Sequence, residues 1–70
     1  MSNTRIWRTP SGEPLSCVEK IKVLEENIAE LRQMAQDALE DAVLMGGDER
    51  QLRAVLHELI DGLENPYAEK

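Results

Sequence analysis

His57 is the only histidine of this 70-residue chain, and it is the first residue to weigh as a candidate for chemistry. Asp61 follows four positions later, so on a helix the two side chains are neighbours that suit an ion pair or half of a metal site. The Glu-x-x-His element of di-iron four-helix bundles is absent, because Ala54 stands where the carboxylate is needed. A lone histidine is a poor basis for catalysis, and we interpret His57 as a surface residue.

Carboxylates are the second candidate group. Asp37, Glu40 and Asp41 form an acidic patch, and Asp48 and Glu49 follow a short distance along the chain. Such a patch suits a divalent cation or a basic partner, but its spacing lacks the alternating oxygen ligands and the central glycine of an EF-hand loop. We interpret these residues as a solvated helix face.

The remaining candidates are the single cysteine and a pair of glycines. Cys17 has no second cysteine with which to form an internal disulfide, and no base nearby in the sequence to activate its thiol, so we expect a small core residue. Gly46 and Gly47 lack the Gly-Lys-Ser/Thr sequence of a phosphate loop. The sequence therefore predicts no catalytic residue, no metal site, no cofactor and no enzymatic activity.

The element that dominates the chain is a long helix over residues 16–45. Apolar or small residues recur there in steps of four and three, which is the pattern of a helix that packs against other helices. Ser16 and Glu19 have the spacing of a capping box at its start. The residues of this seam are Cys17, Ile21, Leu24, Ile28, Leu31, Ala35, Ala38, Ala42 and Met45.

A second, shorter helix is predicted over residues 49–64, after a turn at 46–48. Asp48 suits the N-cap position, with Gln51 completing a box, and Pro66 disfavours helical geometry at the residue before it. One broad face of this helix is apolar, and residues 66–70 form a tail. The predicted fold class is all-α, an antiparallel helical hairpin with one long and one shorter helix.

The difference in helix length predicts how the chain interacts. The second helix covers the first only from about Ala29 onward, so residues 17–28 protrude. Leaving large apolar side chains in water costs about 1.5–3 kcal/mol each, and the hairpin is therefore expected to assemble into a dimeric coiled coil or four-helix bundle, or to bind a groove on another protein. The predicted partner-binding residues are Trp7, Val18, Ile21, Leu24 and Ile28.

Residues 1–15 precede the hairpin as an arm that is either flexible or docked. Prolines and a glycine predict a turn over residues 10–14 that leads into the first helix. Trp7 lies between Arg5 and Arg8 and is the residue that would anchor the arm on its own helices or on a partner's, since tryptophan and arginine are enriched at binding hot spots.

Charge narrows the classes of partner. The net charge is −6, and because residues 1–16 carry +1, the helical body carries −7. An acidic body repels phosphate backbones and anionic lipid, so nucleic acid is an unlikely partner and no membrane association is expected. Neither a secretory signal nor an apolar anchor is visible, and a cytoplasmic protein is the expectation.

Two resemblances supply alternatives to an adaptor or regulatory subunit. Ile28 to Arg32 resembles the Ile-x-x-x-Arg element of sporulation-type aspartyl-phosphate phosphatases, small acidic hairpins that act on bacterial signalling proteins, although Leu56 to Ile60 departs from their Ser-Gln-x-x-Asp motif. This leaves an inhibitor of a bacterial signalling protein as one alternative. The hairpin architecture also resembles dimeric RNA-binding hairpins that form four-helix bundles, which leaves a nucleic-acid regulator as the other.

Overall fold

A computed structural model describes residues 5–68 of the chain. Within that range the chain forms two helices and no strand: α1 (Val18–Leu44) and α2 (Glu49–Asp61). The two helices pack against each other, which confirms the all-α helical hairpin. By contact pattern the chain divides into two compact units, Met1–Leu31 and Arg32–Lys70, which are described separately below.

The N-terminal arm forms a tight hairpin rather than a simple lead into the helix. The Thr9 carbonyl accepts a hydrogen bond from the Gly12 amide (2.9 Å), and the Thr9 amide donates to the Glu13 carbonyl (2.8 Å). Gly12 has φ +96°, the left-handed geometry that closes a three-residue hairpin loop. An antiparallel bridge joins Arg8 and Pro14. The predicted turn is thus present, and it reverses the chain; residues 1–4 of the predicted arm lie outside the described residues.

Helix α1 begins two residues later than predicted. The Leu15 amide donates to the Trp7 carbonyl (2.7 Å), which keeps the chain in the arm hairpin up to that point, and the Cys17 carbonyl accepts the first helical bond from Ile21 (3.0 Å). Among the described residues Ser16 makes no hydrogen bond to the start of the helix, so the predicted capping box is wrong. The 27 residues of α1 span about 40 Å.

Two glycines close α1, as predicted, and the geometry explains why both are needed. The Gly46 amide donates to Val43 (3.1 Å) and the Gly47 amide to Ala42 (2.7 Å), the paired bonds of a Schellman motif. Gly46 has φ +90°, which disfavours any side chain. A Cβ at Gly47 would lie 3.1 Å from the Ala42 carbonyl oxygen, closer than neighbours normally allow.

Helix α2 starts where predicted and ends earlier. The Asp48 side chain accepts a hydrogen bond from the Arg50 amide (3.0 Å) in the N-cap arrangement. The helix stops at Asp61 instead of residue 64 because Gly62, a weak helix former, takes the C-cap position. Asn65 then begins a separate turn, accepting from the Tyr67 amide through its side chain (2.8 Å) and from Ala68 through its carbonyl (3.2 Å).

No side chain in the described residues is fully buried. In the C-terminal unit the half-buried residues are Ala35, Ala38, Leu39 and Ala42 of α1 and Leu52 and Leu56 of α2. This is the Ala-rich half of the seam, and small side chains let the two helices approach closely there. The helix contact thus uses one line of side chains on each element and leaves the flanks open.

Neither α1 nor α2, the helices of the described range, combines the length and apolar character that a bilayer-spanning segment requires.

Candidate functional site

Trp7 is fixed to the first half of α1 through a single carboxylate. Its indole Nε1 donates to Oε2 of Glu25 (2.7 Å), and the same oxygen lies 3.1 Å from Nε of Arg5. The Arg5 guanidinium also stands over the indole ring, 5.7 Å from its centroid. A charged hydrogen bond, an ion pair and a cation–π contact therefore join three residues pairwise, and they hold the arm in a docked position. We call this group of Arg5, Trp7 and Glu25 the arm clasp.

The structure brings four of the five predicted partner-binding residues into partial shelter. Trp7, Ile21, Leu24 and Ile28 are half-buried, whereas Val18 is 78% exposed. At 100° per residue Glu25 lies on the same side of α1 as Ile21 and Ile28, so the clasp holds the indole near this apolar side. The expectation that this part of α1 protrudes uncovered is corrected in part: the arm is joined to it at Glu25, and three of its four predicted residues are half-buried, although none reaches full burial.

Beside the docked arm, α1 carries an open apolar groove that the sequence did not single out. Its walls are formed by Leu15, Glu19, Lys20, Val23 and Leu24, and its exposed lining is apolar. Leu15 precedes the predicted helix, and Val23 lies off the heptad seam. The sequence signal for this groove was the adjacent apolar pair Val23 and Leu24. Val23 lies next to the seam residue Leu24 and so widens the apolar stripe of α1 beyond one seam.

A second exposed apolar surface lies on α2. Leu52 and Leu56 are half-buried, but the other large apolar residues of the same stripe are exposed. The exposed fractions are 46% for Val55, 58% for Leu59, 63% for Ile60 and 71% for Leu63. We call these four residues the α2 face, although Leu63 lies just beyond the end of the helix. The sequence shows them as one amphipathic stripe, but it does not show that α1 covers only the first part of that stripe.

The side chains first considered for chemistry are placed in ordinary surroundings. His57 is exposed, and Cys17 is a half-buried free thiol. Asp37 and Glu40 each accept a hydrogen bond from a glutamine one turn earlier on α1 (2.9 Å in both cases). Glu49 pairs with Arg53, as its spacing predicts, at 2.9 Å. In residues 5–68 no three histidine, cysteine or carboxylate side chains are grouped so as to hold a metal ion.

Comparisons with protein-family models, with curated proteins and with solved structures find no match to this chain.

Proposed function

We propose that the chain is a small non-enzymatic protein-interaction module, an adaptor or regulatory subunit that acts through helix–helix packing. It self-associates, and it binds another protein through the first half of α1. The proposal assigns it to the cytoplasm, where its single free thiol stays reduced.

The observation that carries the proposal is the missing core. Residues 5–68 contain no buried side chain, while 13 large apolar side chains in that range are exposed. Soluble monomers leave single apolar residues in water without consequence, but they bury a contiguous set elsewhere. A chain that buries none is stabilised when a further helix covers its apolar faces.

The N-terminal unit offers the surface for a different protein. Ile21, Leu24 and Ile28 are half-buried, and the groove lined by Leu15, Val23 and Leu24 opens on the same half of α1. Glu19 and Lys20 at the rim supply both signs of charge, which suits orientation of an amphipathic helix. An amphipathic partner helix laid along α1 would complete the burial that the arm begins.

Affinity capture with a matched pair of variants tests this proposal. Leu24→Glu places a charge on the proposed surface, whereas Asn27→Glu adds the same charge to an exposed position of the same helix. We expect a partner, identified by mass spectrometry and then purified, to bind the wild type and Asn27→Glu equally and to bind Leu24→Glu at least tenfold more weakly. Equal binding by all three proteins would refute this site.

The same purified protein distinguishes an adaptor from a nucleic-acid regulator. The acidic body predicts no measurable binding to RNA or DNA at physiological salt. Tight nucleic-acid binding whose affinity falls steeply with salt concentration would replace the adaptor proposal with the regulator.

A further inference from the structure

We draw no further inference here: the strongest candidate, the exposed apolar surface of the α2 face, carries none because nothing in the structure shows what covers it.

Discussion

The arm clasp makes a prediction that one spectroscopic signal can test, because Trp7 is the only tryptophan in the chain. Glu25→Ala removes the acceptor of the indole hydrogen bond (2.7 Å) and the partner of Arg5 (3.1 Å). A hydrogen bond to a charged group contributes about 1.5–3 kcal/mol, and the partial exposure of Glu25 favours the lower end of that range. An exposed ion pair adds about 0–1 kcal/mol. The arm should therefore lose about 1.5–2 kcal/mol of docking free energy, which raises the undocked fraction relative to the docked one at least tenfold.

Tryptophan fluorescence reads out this change. Undocking transfers the indole from a half-buried position to water, so we expect the emission maximum of Glu25→Ala to shift to longer wavelength and its anisotropy to fall. Glu25→Gln keeps an oxygen acceptor without the charge and should give an intermediate shift. Glu26→Ala is the matched control, because Glu26 is exposed and makes no hydrogen bond or ion pair with the described residues. An unchanged spectrum for Glu25→Ala, or an equal shift for Glu26→Ala, would show that the clasp does not hold the arm.

The helix ends give three further predictions, each measured as a change in the free energy of unfolding at fixed protein concentration. Gly46→Ala should destabilise the chain by about 1–2 kcal/mol, because it forces a side chain into left-handed geometry at φ +90°, and an effect below that of a surface Gly→Ala change would contradict the Schellman assignment. Asp48→Ala should cost about 1 kcal/mol by removing the bond to the Arg50 amide, with Asp48→Asn close to wild type as the control. Gly62→Ala should instead stabilise the chain by about 0.4–1 kcal/mol and increase its helical circular dichroism, since Gly62 already has right-handed helical geometry; a loss of stability would show that the end of α2 at Gly62 is required.

The sequence predicts the helices of this chain better than their ends. Heptad spacing and the N-cap at Asp48 are local signals, and both helices and the turn at Gly46 and Gly47 follow from them. The start of α1 is set by a bond between Leu15 and Trp7, eight residues apart, and a local capping pattern at Ser16 cannot reveal it. The arm clasp depends on residues 18 positions apart. Gly62 was a local signal for the end of α2, but the prediction placed that end before Pro66 instead.

The candidate surfaces were harder to predict for the same reason. The burial of a side chain depends on which distant part of the chain packs against it, and the local sequence does not show this. Helix length alone predicted that the first half of α1 is bare, and the structure shows partial shelter there. Ile21, Leu24 and Ile28 are half-buried beside the arm, while Leu59, Ile60 and Leu63 remain in water despite belonging to the same stripe as Leu52. The 13-residue helix α2 packs against Ala35, Ala38 and Ala42 of α1, and these side chains are too short to cover the flanks of its apolar stripe. The alanines that allow the close helix contact therefore leave Val55, Leu59 and Ile60 of α2 exposed.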